Sequence, residues 1–218
     1  MNKSIRKRFY RPAASRMTNK GFTLIELSVA GFVMVVLGIG VMGLQKILAD
    51  SELAGFVNYV NVDEANYNVS QMAREIRTMR QGQNGAYPMV SGTDNEIRFY
   101  SDIDYDGVSE LVRYTLDGTS LTKGTIEPIG FPATYPAANE VTKVLTENVQ
   151  NAGIPLLLYF NDGWPEDAAN NPLPTPVDLA EVRLVRISLN INVNPDNAER
   201  SIYSLSTNVS IRTLKDNL

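Results

Sequence analysis

Several residue types that usually carry chemistry are missing from this chain. Its 218 residues include no cysteine and no histidine, which excludes disulfides, thiol nucleophiles, imidazole acid–base catalysis and cysteine/histidine zinc sites. No glycine-rich phosphate loop or nucleophile elbow is present. Carboxylate pairs could act as acid and base, but no motif places two of them together. We therefore predict that the protein is not an enzyme.

Negative charge is absent from residues 1–20, which carry seven lysines and arginines: Lys3, Arg6, Lys7, Arg8, Arg11, Arg16 and Lys20. Residues 22–218 keep 13 of the 20 basic residues and all 24 acidic ones, a net charge of −11. An acidic chain is a poor match for nucleic acid, so we expect no direct nucleic-acid partner. By the positive-inside rule, the basic segment stays cytoplasmic and the remainder lies outside.

Proline is absent between Pro12 and Pro88, so a helix can run through this region without interruption. Its first part, residues 22–44, is predominantly apolar and would span roughly 35 Å as a helix, enough to cross a bilayer. Glu26 lies inside this apolar segment, where an unpaired carboxylate costs about 2.5–3.5 kcal/mol. A cut after Gly21 would free an α-amine on Phe22, which a neighbouring copy could offer to Glu26.

Residues 20–26, Lys-Gly-Phe-Thr-Leu-Ile-Glu, resemble the prepilin signal of type IV pilins and type II secretion pseudopilins. The resemblance implies a cytoplasmic leader over residues 1–21 and cleavage by a prepilin peptidase between Gly21 and Phe22. It also implies methylation of the new amine and a role for Glu26 in assembly. An ordinary membrane anchor with one stray acid is the alternative interpretation.

Beyond the span, residues 45–80 have an amphipathic helical pattern with two apolar stripes that differ in phase. The first stripe is Leu53, Phe56, Val57 and Val60, and the second is Val62, Ala65, Val69, Met72, Ala73 and Ile76. A kink or a change of packing partner near Asn61 would explain the difference. We expect Arg74, Glu75, Arg77 and Arg80 to form a solvated face at the end of the helix.

Residues 87–218 have β patterns, with alternation over 96–100, 112–116, 185–193 and 203–211 and a hairpin turn at Asp117–Gly118. Leu156 to Phe160 is a short apolar run typical of a buried strand, whereas 141–151 fits either a short helix or a strand. The predicted fold class is α+β: a long N-terminal helix, transmembrane in its first half, packed on a C-terminal antiparallel sheet.

A second resemblance is to the J-type minor pseudopilins and related minor pilins. It is carried by residues 71–77, by 98–102 with 113–118, by 145–149 with 158–160, and by 185–189 with 209–212. It implies a pilin-like fold and a minor subunit that initiates or caps a pilus or pseudopilus. Its implied partners are the major subunit, other minor pilins and the bacterial inner membrane. The alternative is an anchored binding module or adhesin that uses loops 126–140 and 162–176.

The segment Asp102-Ile103-Asp104-Tyr105-Asp106-Gly107 has carboxylates at alternate positions, as at the start of a calcium loop. The twelfth position of an EF-hand would be Arg113 rather than glutamate, so that motif fails, although Glu110 could donate in another geometry. Asp and Gly also favour turns for local reasons, so a solvated turn remains the alternative. Trp164 is either a partner anchor or a loop side chain folded onto the core.

Overall fold

The computed structural model describes residues 21–193 and 202–213, and the chain divides into two units, Met1–Asp50 and Ser51–Leu218. Residues 1–20 of the leader expected at 1–21, and the turn predicted at 194–197, lie outside the described residues. Within that range the protein is α+β, with one long N-terminal helix followed by antiparallel strands. The predicted fold class is therefore confirmed at this level.

Helix α1 runs from Leu24 to Arg77, 54 residues, and ends three residues before the predicted limit at position 80. It is long and apolar enough to cross a membrane, and none of its most apolar window is buried. Just after the end of the helix, Arg80 N–H donates to Tyr100 O at 2.9 Å, and this bond holds the chain against the sheet. Arg74 and Arg77, in the last turn, complement the negative end of the helix dipole.

The two apolar stripes of α1 have different environments. Leu53, Phe56 and Val60 of the first stripe are exposed, whereas the second stripe from Ala65 to Ile76 belongs to the core. Between them, Asn61 Nδ2 donates to Val193 O at 3.3 Å, the first side-chain hydrogen bond from the helix to the strands. A change of packing partner near Asn61 therefore accounts for the shift in phase.

Within the described residues, eight strands form two antiparallel sheets. The strands are β1 (Met89–Gly92), β2 (Glu96–Ser101), β3 (Glu110–Asp117), β4 (Ser120–Ile126), β5 (Val141–Thr146), β6 (Leu157–Phe160), β7 (Leu184–Asn192) and β8 (Ile202–Ser210). The first five form a meander in chain order, and the last three form a second sheet. The ambiguous segment 141–151 is thus a strand at its start, because it pairs with β4.

The core lies where the second stripe of α1 meets both sheets. Met72 and Ile76 of the helix, Phe99 of β2 and Ile187 of β7 are fully buried members of one apolar cluster. Asn68 joins the helix to β5 by donating to Leu145 O at 2.6 Å. Alternation along β7 sends every second residue from Val185 to Ile191 into this cluster, as period 2 requires.

The five-stranded sheet carries an ion-pair ladder on one face. Arg113 of β3 donates from Nε to Glu140 Oε1 at 2.7 Å, and its Nη1 lies 3.7 Å from Glu96 Oε2 of β2. Gly124 of β4 lies opposite Arg113, and a Cβ at Gly124 would collide with the Glu140 carboxylate. Glycine at this position therefore lets Glu140 reach across β4.

Candidate functional site

The start of α1 contains a capping box formed by Thr23 and Glu26. Thr23 N–H donates to Glu26 Oε2 at 2.9 Å and Thr23 Oγ1 donates to the same oxygen at 3.0 Å. In return, Glu26 N–H donates to Thr23 Oγ1 at 3.3 Å. The Thr-x-x-Glu spacing is the sequence signature of this motif, and it was missed in the sequence interpretation. Within a single chain, therefore, Glu26 already has hydrogen-bond donors.

Gly21 and Phe22 lie just before this cap. Phe22 is 91% exposed. A Cβ added to Gly21 would meet no atom of the described residues within 4 Å, so packing against that part of the chain does not demand glycine here. The same open surroundings apply to Gly31, Gly38, Gly40 and Gly43 of α1.

Glu75 corrects the expected solvated face at the end of α1. Arg74 and Arg77 are exposed, but Glu75 is only 7% exposed and faces the five-stranded sheet. Its Oε1 accepts bonds from Lys123 Nζ at 2.7 Å and Gln71 Nε2 at 2.8 Å, and its Oε2 accepts from Tyr114 Oη at 2.7 Å. The prediction was wrong because Lys123 and Tyr114 lie on strands far along the chain.

Tyr114 is a neutral donor in this buried cluster. Burial, reinforced by the Glu75 carboxylate, raises the pKa of Tyr114 far above its usual range. The Lys123 ammonium also lies 5.7 Å from the centre of the Tyr114 ring. Helix α1 and strands β3 and β4 are therefore joined by charged and neutral hydrogen bonds between largely buried side chains.

Three of the four predicted metal-ligating residues converge in the loop between β2 and β3. Asp102, Asp104 and Asp106 each bring a carboxylate oxygen within 4.8 Å of the others. Asp104 Oδ1 accepts from Asp106 N–H at 3.2 Å, and Asp106 Oδ1 accepts from Val108 N–H at 2.7 Å. These bonds hold the chain in a tight turn. They leave further carboxylate oxygens available to a ligand.

Glu110, the fourth predicted residue, lies fully buried against the same loop. Its Oε2 accepts from Ile103 N–H at 2.8 Å, between Asp102 and Asp104. Burial raises the pKa of Glu110 to about 7, with smaller contributions in the same direction from Glu127 and Asp104. The pKa of Glu127 is also raised, first by burial and then by Asp104 and Asp106. Glu127 is thus a fifth carboxylate near this group, and the sequence interpretation did not include it.

Arg80 supplies positive charge at the edge of this loop. Its Nη2 lies 3.1 Å from Asp102 Oδ2, and its Nε donates to Ser109 Oγ at 2.8 Å. Arg113, at the twelfth loop position, is directed to Glu140 instead. Arg113 therefore does not turn toward the aspartate loop.

Trp164 is folded onto the second sheet. Its ring centre lies 4.7 Å from that of buried Phe160, and the Arg186 guanidinium lies 5.7 Å from the Trp164 ring centre. Of the two interpretations of this residue, the contacts favour the loop side chain folded onto the core.

No protein-family model matches this chain. None of the curated proteins compared with it shows a significant match either. Any function must therefore be argued from the motif at residues 21–26 and from the geometry described above.

Proposed function

We propose that this chain is a minor pilin or pseudopilin, a non-enzymatic structural subunit that initiates or caps a type IV pilus or a type II secretion pseudopilus. The observation that carries the proposal is the start of α1. Glu26 lies in the first turn of α1, four residues after the exposed Phe22, and the apolar surface of this helix is exposed.

The proposed pathway begins in the bacterial inner membrane, with residues 22–44 as the single span and the strands outside the cytoplasm. A prepilin peptidase hydrolyses the Gly21–Phe22 peptide bond, and the new Phe22 amine is methylated. The amine then pairs with Glu26 of an adjacent subunit, which removes an otherwise costly intramembrane charge. Other minor pilins and the major subunit are the proposed neighbours.

Two further observations support this role. The open surroundings of Gly21 suit a peptidase that must approach the backbone closely, since no other residue of the described chain crowds that position. The exposed apolar side chains continue beyond the span to Leu53 and Phe56. Such a helix provides a surface on which helices of other subunits can pack in a filament.

Processing is tested by co-expressing the full chain with a prepilin peptidase and measuring its intact mass and N-terminal sequence. We expect a product that begins at Phe22 and is heavier by one methyl group. The Gly21→Leu variant should remain uncleaved, because its side chain obstructs the peptidase while a Cβ at this position meets none of the described residues. An intact leader in the wild-type chain, or normal cleavage of Gly21→Leu, would contradict the proposal.

The assembly role of Glu26 needs a variant that separates charge from helix capping. Glu26→Gln can keep the capping box, in which glutamine also serves, but loses the negative charge. Thr23→Ala removes the threonine hydroxyl from the cap and keeps the charge. We expect cleavage of both variants, with incorporation into filaments lost for Glu26→Gln and retained for Thr23→Ala. Normal incorporation of Glu26→Gln would refute the charge pairing.

A binding module displayed on the filament is the second candidate, and one observation favours it. The loop between β4 and β5 forms a small hairpin, in which Ile129 and Thr134 exchange two backbone hydrogen bonds of 2.9 Å. Phe131 at its tip is fully exposed. If this loop recognises a surface ligand, Phe131→Ser should abolish adhesion of the filament and leave the amount of filament unchanged.

A further inference from the structure

We propose that the loop between β2 and β3 binds one calcium ion through Asp102, Asp104 and Asp106, with the buried Glu110 carboxylate supporting the site. This inference does not rest on the proposed function, because the loop lies in the unit Ser51–Leu218 and none of its residues belongs to the processing motif.

The first argument is convergence. Oxygens of three aspartates lie within 4.8 Å of one another, close enough to share one cation. Gly107 has a φ of +94°, in the left-handed region, and stands at the sixth position of the loop, where calcium loops turn sharply. Carboxylate oxygens are the ligands that calcium prefers.

The second argument is independent of the exposed aspartates. Glu110 has no solvent exposure, and its Oε1 has no hydrogen-bond partner in the described part of the chain. Its Oε2 bond to Ile103 N–H places this carboxylate directly against the aspartate loop. Asp102 Oδ1 is a second buried oxygen without a partner among the described residues. Buried carboxylate oxygens are costly unless a cation or a donor satisfies them.

The third argument is the balance of charge. Asp102, Asp104 and Asp106 bring three carboxylates together in the loop, and the Glu110 carboxylate lies against it. Among the described residues, Arg80 is the one cation in an ion pair with this group, and its ion-pair partner there is Asp102. A divalent cation would balance the remaining charge, whereas a turn held only by Asp–backbone bonds needs no buried glutamate.

Calcium fits this loop better than magnesium. Calcium accepts six to eight oxygen ligands in flexible geometry, whereas magnesium demands a near-ideal octahedron. A site that uses a short loop and a buried glutamate suits the larger ion. The expected affinity is that of extracellular modules, a Kd of about 10⁻⁴–10⁻³ M.

The experiment is calorimetric titration of the full chain in detergent micelles, chelator-treated and at fixed ionic strength, with calcium chloride and separately with magnesium chloride. We expect saturable binding of one calcium ion and a calcium-dependent rise in Tm. Asp104→Asn with Asp106→Asn should abolish both effects, because asparagine keeps the Oδ1 acceptors of the turn and removes the charge. Asp117→Asn, in the exposed turn between β3 and β4, is the matched control and should bind normally.

Glu110→Gln tests the buried carboxylate, since glutamine can still accept from Ile103 N–H. We expect its calcium affinity to be at least about tenfold weaker. The Trp164 emission spectrum checks that each variant is folded. If the double variant does not fold, the single variant Asp104→Asn provides the test. Absence of saturable heat, unchanged binding by Asp104→Asn, or equal affinity for magnesium would each overturn the proposal.

Discussion

Replacing Lys123 by methionine isolates the buried charge of Glu75. Lys123 and Glu75 are 8% and 7% exposed, so solvent cannot take over the role of the lost ammonium. After the change, Glu75 keeps only the neutral donors of Gln71 and Tyr114. Breaking a buried ion pair by removing one partner costs about 3–5 kcal/mol. We therefore expect a loss of that size in the free energy of unfolding.

The assay is guanidinium unfolding of the full chain in micelles, followed by the fluorescence of Trp164, the single tryptophan. In thermal unfolding of the same samples, even the lower limit of about 3 kcal/mol should reduce Tm by roughly 6–12 °C for a protein of this size. The double variant Glu75→Gln with Lys123→Met removes both charges and leaves an acceptor for Tyr114. It should recover most of the lost stability, which gives a large coupling energy in a double-mutant cycle.

Two outcomes would refute this reasoning. A loss below about 1 kcal/mol for Lys123→Met is what a solvent-exposed ion pair gives, and it would mean that water reaches Glu75. Additive losses in the double variant would mean that Lys123 stabilises the fold by packing and not by its charge. Thr122→Ala, on the same strand, is a matched control for which we expect a smaller loss.

Three further predictions use the same unfolding assay. The free energy of unfolding should fall as the pH rises above about 10, because burial keeps Tyr114 and Tyr159 protonated in the folded state while the unfolded chain loses both protons. The Tyr159→Phe variant should lose stability less steeply with pH. An unchanged dependence of its stability on pH would contradict this prediction. Ile76→Ala should reduce the free energy of unfolding by about 2–5 kcal/mol, and Phe56→Ala by less than about 0.5 kcal/mol, because of the two side chains only that of Ile76 is buried. Equal losses would refute the assigned boundary of the core. Gly124→Ala should destabilise the wild-type chain by about 1 kcal/mol and the Glu140→Ala variant by less. Equal effects in the two chains would exclude a steric contact between position 124 and the Glu140 side chain.

Much of the secondary structure could be predicted because it depends on local patterns. The lack of proline, the 3.6-residue periodicity and the turn at Asp117–Gly118 predict α1 and the β3–β4 hairpin. Two features could not be predicted in this way. Segment 141–146 is a strand because it pairs with the edge of β4. The division of the strands into two sheets depends on pairings that no local pattern encodes.

The candidate sites also combine features that local sequence predicts with features that depend on distant parts of the chain. The spacing of Asp102, Asp104 and Asp106 predicted that their carboxylates converge. The burial of Glu110, by contrast, follows from its position on β3 inside the packed sheet. The charge of Glu75 indicated a solvated position because its partner Lys123 is 48 residues away in the chain. The capping box of Thr23 and Glu26 was within reach of the sequence, since three-residue spacing alone defines it.

Gly124 has an evolutionary consequence. Because a side chain at this position would displace the Glu140 carboxylate from Arg113, substitutions at positions 113, 124 and 140 should not be independent. Among related chains, we expect glycine at 124 wherever 113 is basic and 140 is acidic, and larger residues only where that pair is lost. Glu96 would vary with the same set, since it shares Arg113. Positions on three neighbouring strands and one loop would then be inherited as a single unit.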